Sequence, residues 1–147
     1  MYAINFVGSS HLSRRHGFPQ TVQRHLAQTD HVFKSKFSLS EIKSCPGATY
    51  CHESFLSSCV NIIIDQRKEA KYVGQVNVIV LGSNDQREIS SLPSDQISGA
   101  ILKFRSKMLK FVKQLLSGDS MLIVVTPIIQ KESTKVELNT VIEDVVR

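Results

Sequence analysis

The chain has 147 residues, 41% of them apolar, and a formal charge of +5. That length supports one compact domain with a real core, and no long polar tract marks disorder. No apolar run approaches the roughly 20 residues a membrane-spanning helix needs, and "YAINFV" is too short for a signal-peptide core, so an intracellular, cytoplasmic protein is expected.

"YAINFV" reads as a first strand that breaks at Gly8, with Ser9, Ser10 and His11 following. "PQTVQRHLAQ" predicts a helix, because Val22 and Leu26 fall one turn apart and Pro19 lies near its start. "HVFKSKFSL" alternates apolar and polar residues, which predicts a strand near a sheet edge. "CPGAT" is a turn. "ESFLSSCVNIIIDQRKEA" predicts a helix, although "VNIII" alone reads equally well as a strand. "QVNVIVLG" is a nearly continuous apolar run, as in a central parallel strand. "GSNDQREISSLPSD" then reads as a loop. A long helix from about Gln96 to Leu116 carries Ile97, Ile101, Phe104, Met108, Phe111, Val112 and Leu115 at helical spacing, and Gly118 ends it. "SMLIVVTP" reads as a second buried strand with Pro127 just beyond it. The tail from about Val136 to Arg147 reads as the start of a helix.

Alternation of strand and helix predicts an α/β fold, with a parallel sheet covered on both faces. Function in such folds sits in the loops at the carboxyl ends of the strands. Those loops are "GSSHL", "CPGAT", "GSNDQR" and "TPIIQ". The first three carry small residues, hydroxyls and amides, and are expected to converge on one sheet edge.

Three cysteines, Cys45, Cys51 and Cys59, argue against a disulfide framework. Their spacing with His52 matches no metal-ligand pattern, so buried free thiols are expected and no metal or cofactor is assigned. The positive charge gathers in "SRRHGF" and in "KFRSKMLKFVK". The second is an amphipathic helix with Lys103, Lys107 and Lys110 near its solvated side. A patch for nucleic acid or anionic lipid is the alternative reading, and no RNA-binding aromatic motif accompanies it.

A serine just after a buried strand, opening towards a helix, is well placed to be a nucleophile. Amides of the following turn can stabilise an oxyanion. Gly8 is expected to permit the tight turn. Gly47 in the second loop can offer a backbone N–H without side-chain obstruction, and Asn84 in the third can offer an amide donor. Each feature alone reads as an ordinary turn or cap. The ordered set of three points to a site.

The order "VGSSHL", "PGAT", "VLGSNDQR" resembles the SGNH hydrolases, also called the GDSL family. Their blocks are Gly-Asp-Ser-Leu, a lone glycine often within Gly-Ala-Thr, and Gly-x-Asn-Asp. Ser10 matches the nucleophile, Gly47 the second-block glycine, and Gly82 and Asn84 the third block. The resemblance implies a three-layer α/β/α sandwich of flavodoxin-like type. It also implies hydrolysis of a small ester, with the Ser10 amide, the Gly47 amide and the Asn84 side chain forming the oxyanion hole.

Two departures stand out. Ser9 occupies the place of the family's Asp. The family's base and acid come from a C-terminal Asp-x-x-His block, and the chain ends at "LNTVIEDVVR" without one. The expectation is therefore a single SGNH-like domain over 1–147 that lacks its C-terminal part. Such a domain is inactive or impaired and exposes apolar surface that promotes association. His11, His16 and His52 are candidate substitute bases, whereas His25 and His31 belong to or follow the first helix. Two alternatives remain: a non-catalytic module binding RNA or another polyanion through Lys103, Lys107 and Lys110, and a phosphate-holding loop using Arg14 and Arg15.

Overall fold

The structure is a computed structural model and describes residues 1–9, 12, 18–28, 36–116, 119–125 and 138–146. In chain order the elements are β1 (Tyr2–Gly8), α1 (Phe18–Gln28), β2 (Phe37–Ser44), α2 (Glu53–Gln66), β3 (Gly74–Val80), α3 (Ser83–Ser90), α4 (Ser94–Leu115), β4 (Ser120–Val124) and α5 (Asn139–Val146). The four strands form one all-parallel sheet in the order β2-β1-β3-β4, which makes the chain α/β. From β1 the chain winds first to one side, to β2, and then crosses back to β3 on the other. The loops leaving β1 and β3 therefore part at a switch point, where a crevice forms beyond the carboxyl ends of the strands.

The sequence pattern explains which strands are interior. β1 is buried from Ala3 to Gly8, and β3 buries Gln75, Asn77, Val78 and Ile79. β4 departs from the buried strand that "SMLIVVTP" predicts. It lies at the sheet edge with Met121 60% and Ile123 44% exposed. An apolar run reports affinity for burial but not the number of neighbours a strand acquires. β2 is at the opposite edge, as the alternation in "HVFKSKFSL" predicts, but it starts at Phe37 and runs on to Ser44. Residues 31–35 of that stretch lie outside the described residues, as do Gly118 and Pro127.

The described residues cover the two sheet faces unequally. One face carries Val7 and Ile79 and packs against Leu56, Cys59, Val60 and Ile63 of α2, Phe104, Met108, Phe111, Val112 and Leu115 of α4, and Ile142 of α5. The other carries Ile4, Phe6 and Val78, packed with Leu12 and with Val22 of α1. Met121 and Ile123 sit in register with Val76 and Val78 on this second face. No helix among the described residues is long and apolar enough to cross a membrane.

The stretch "GSNDQREISSLPSD", which reads as a loop, contains α3. Gly82 starts it with a left-handed backbone (φ +117°), and the Gln86 N–H donates to Gly82 O at 2.9 Å. The buried residues of α3 are Asp85, Gln86, Ile89 and Ser90, and three of the four are polar. A hydrophobic periodicity test misses such a helix, because its inward face is read as hydrophilic. Gln86 justifies its burial: its Oε1 accepts the Leu138 N–H at 3.1 Å, tying α3 to the residue before α5.

A polar network lies inside the better-covered face. Asn5 of β1 is 1% exposed, and its Nδ2 donates to Gln66 Oε1 at 2.8 Å and to Asn77 Oδ1 at 2.9 Å. Gln66 Nε2 returns a bond to Asn5 Oδ1 at 3.1 Å and donates to Ser40 Oγ. Ser40 reaches it because the register slips between Ile4 and Asn5, leaving Ser40 as the extra residue of a bulge. Gln75 Nε2 also donates to Gln66 Oε1, at 2.8 Å. Gln66→Ala leaves several of these buried groups short of a partner, at about 1–3 kcal/mol for each one stranded. Urea denaturation is expected to show a loss of about 2 kcal/mol or more. A variant as stable as the parent would mean that water replaces the lost amide.

Candidate active site

The first loop is anchored before it reaches the serine in question. Gly8 O accepts the Cys45 N–H at 3.1 Å, and the Ser9 N–H donates to Val80 O at 3.4 Å. Leu12 N–H donates to Ser9 O at 3.1 Å. Gly8 is required here by close approach. A Cβ on it would sit 2.7 Å from Val80 O and 2.8 Å from Leu12 Cδ1. Its backbone is not in the left-handed region, so the turn itself does not demand glycine. Ser9 is buried. Ser10, His11, Arg14, Arg15 and His16 lie outside the described residues.

The second loop runs from Cys45 to Tyr50. Ala48 N–H donates to Cys45 O at 3.0 Å, and Gly47 adopts a left-handed backbone (φ +76°) that favours glycine. No described atom comes within 4 Å of where a Gly47 Cβ would stand. The third loop is joined to it twice. Asn84 Nδ2 donates to Ala48 O at 3.2 Å, and the Tyr50 N–H donates to Asp85 Oδ1 at 3.0 Å. The ends of the first three loops therefore meet at one sheet edge, as their position after parallel strands predicts. Of the predicted site residues, Gly47 and Asn84 are brought together, and Ser9 holds the chain next to them.

Asp85 joins the cluster beside Asn84. It is 4% exposed, and its Oδ2 has no partner among the described residues. Burial pushes its carboxyl up to about 7, against the bonds donated by the Tyr50 and Asp85 N–H groups, and the Glu88 charge adds to the rise. Tyr50 beside it is buried with its hydroxyl unpartnered among the described residues. Burial first, and then the Asp85 charge, hold the phenol far above its ordinary range. The signal for Asp85 in the sequence is the Asn84-Asp85 step that follows Gly82-Ser83.

The cysteines correct a second expectation. All three are free, but only Cys59 is buried; Cys45 is half-buried and Cys51 exposed. The reason is position: Cys59 lies on the inward face of α2, whereas Cys45 and Cys51 belong to the surface loop between β2 and α2. Cys45 Sγ lies 4.0 Å from His52 Nδ1. His25 is exposed on α1, and His31 lies outside the described residues. No group of three or more His, Cys, Asp or Glu among the described residues is arranged to hold a metal.

The lysine face of α4 is partly neutralised. Lys107 is paired with Glu53 of α2, whose carboxyl is held below its usual range by that contact, while Lys103 and Lys110 are exposed. That pairing leaves less positive charge for a polyanion than the three lysines suggest. No protein-family model, no curated protein and no solved structure matches the chain.

Proposed function

We propose that the chain is an SGNH-type ester-hydrolase domain on a three-layer, flavodoxin-like frame, with Ser10 as the nucleophile. The observation that supports the reading is the stitching of three loops at one sheet edge, in the order serine turn, glycine turn, asparagine helix start. The bonds Cys45 N–H to Gly8 O, Ser9 N–H to Val80 O and Asn84 Nδ2 to Ala48 O make it. In this reading Ser10 Oγ attacks the carbonyl carbon of a small ester and its proton passes to water. The alcohol leaves protonated, and a water then hydrolyses the acyl-serine to the acid and free Ser10. The developing oxyanion is met by the Ser10 and Gly47 amides and by Asn84. An amide nitrogen carries two hydrogens, so Asn84 can hold Ala48 O with one and offer the other.

The test is hydrolysis of p-nitrophenyl acetate. Because the sequence carries no Asp-x-x-His block to supply the base, impaired turnover, weak but above background, is expected, and Ser10→Ala removes it. Asn84→Ala lowers it by roughly a hundredfold or more, the usual effect of deleting one oxyanion donor. Equal rates for the parent and Ser10→Ala would overturn Ser10 as the nucleophile.

A further inference from the structure

We propose that Cys45 and His52 form a nucleophile–base pair that carries an acyl group from an activated ester or thioester to water. The pair shares the loop cluster with the Ser10 reading but not its nucleophile.

Four observations support it. Cys45 is the first residue after β2, so its thiol stands at the carboxyl edge of the sheet, where its own N–H holds Gly8 O. The thiol lies 4.0 Å from His52 Nδ1, a long contact of the sort that tightens when substrate enters. Both groups are reachable, the thiol half-buried and the imidazole exposed. The chain at His52 is hydrogen-bonded in place: the His52 N–H donates to Thr49 O at 3.1 Å, and the Glu53 N–H to Cys51 O at 3.0 Å.

The backbone of His52 is fixed at the helix start, and its ring rests against one aromatic neighbour. His52 caps the 14-residue α2, whose first-turn amide Leu56 N–H donates to His52 O at 3.1 Å. Its ring lies against Phe55 with centroids 5.8 Å apart. Two residues beyond Cys45, no described atom comes within 4 Å of where a Gly47 Cβ would stand.

The steps balance as follows. Cys45 Sγ attacks the carbonyl carbon while His52 Nδ1 takes the thiol proton. The C–S bond forms, the bond to the leaving oxygen or sulfur breaks, and the leaving group departs with that proton. Water then attacks the acyl-cysteine, giving its proton to His52. The carboxylic acid leaves and the thiol is restored.

The experiment uses the full chain with p-nitrophenyl acetate, quenched in acid and mapped by peptide mass spectrometry. An acetyl group on Cys45, released by neutral hydroxylamine, is expected. Cys45→Ser abolishes that adduct. His52→Gln, a change at an exposed position, lowers turnover through it by roughly a hundredfold. Cys51 provides an internal comparison, being the more exposed thiol. Iodoacetamide is expected to label Cys45 first, and His52→Gln is expected to slow Cys45 and leave Cys51 unchanged.

Acetyl found only on Ser10 would overturn the thiol pair and leave the serine reading standing. Acetyl on Cys45 with Ser10→Ala fully active would overturn the serine reading and support the pair. Labelling of Cys45 that is indifferent to His52→Gln would overturn His52 as the base.

Discussion

Raising the pH from about 4 to about 7 is expected to weaken the fold through Asp85, and Asp85→Asn is expected to remove that dependence. The carboxyl has an ordinary value of 3.8 and is pushed up to about 7 in the folded chain, chiefly by burial. Between those values the unfolded chain has released this proton and the folded chain still holds it. Stability therefore falls as pH rises through the window, and the contribution is fully present only below the ordinary value. At about 1.4 kcal/mol for each pH unit, the full loss above the upper value is about 4 kcal/mol.

Other carboxylates pull in the opposite sense, so the useful quantity is the difference between variant and parent. Asparagine keeps an oxygen for the Tyr50 N–H that Asp85 Oδ1 now accepts at 3.0 Å. Urea midpoints measured at several pH values should show Asp85→Asn gaining on the parent as the pH rises. Parallel profiles would mean that the carboxyl is hydrated and ionises near its ordinary value.

Phe104→Ala is expected to cost about 3–5 kcal/mol, the usual range for deleting a buried aromatic ring. Phe104 is 1% exposed on α4 and meets Tyr50 edge-on, with centroids 5.4 Å apart and planes at 81°. Tyr50 is also the residue whose N–H holds Asp85, so this ring links the core to the loop cluster. Chemical denaturation gives the size of the loss, and a cost below about 1 kcal/mol would mean the cavity refills by collapse. The loop cluster should loosen with the core, seen as faster amide exchange at Ala48 and Tyr50 than the global loss explains. Exchange that tracks global stability alone would show that the ring supports only the core.

Much of the architecture was legible from periodicity. β1, β3 and α4 come from runs whose spacing permits one reading, because an inward face of apolar residues must repeat at the period of its element, whereas "VNIII" within α2 reads as a strand until its flanks are included. The meeting of the loops after β1, β2 and β3 followed as well, since parallel strands bring their carboxyl ends to one side. The polar elements were harder. α3 turns Asp85, Gln86 and Ser90 inward, and no hydrophobic repeat marks it.

What the sequence by itself determined is the parallel α/β arrangement and the edge on which Gly47, Asn84 and the serine turn belong. The tertiary structure alone decided the state of the side chains there. Cys45 and Cys51 carry the same thiol and sit six positions apart, yet only the path of the loop sets Cys45 against His52 and leaves Cys51 exposed. Asp85 reads as a turn residue in the sequence, and only the fold buries it, with the Tyr50 N–H donating to its carboxylate. Burial and pairing depend on contacts between residues far apart in the chain, and local composition carries no record of those contacts.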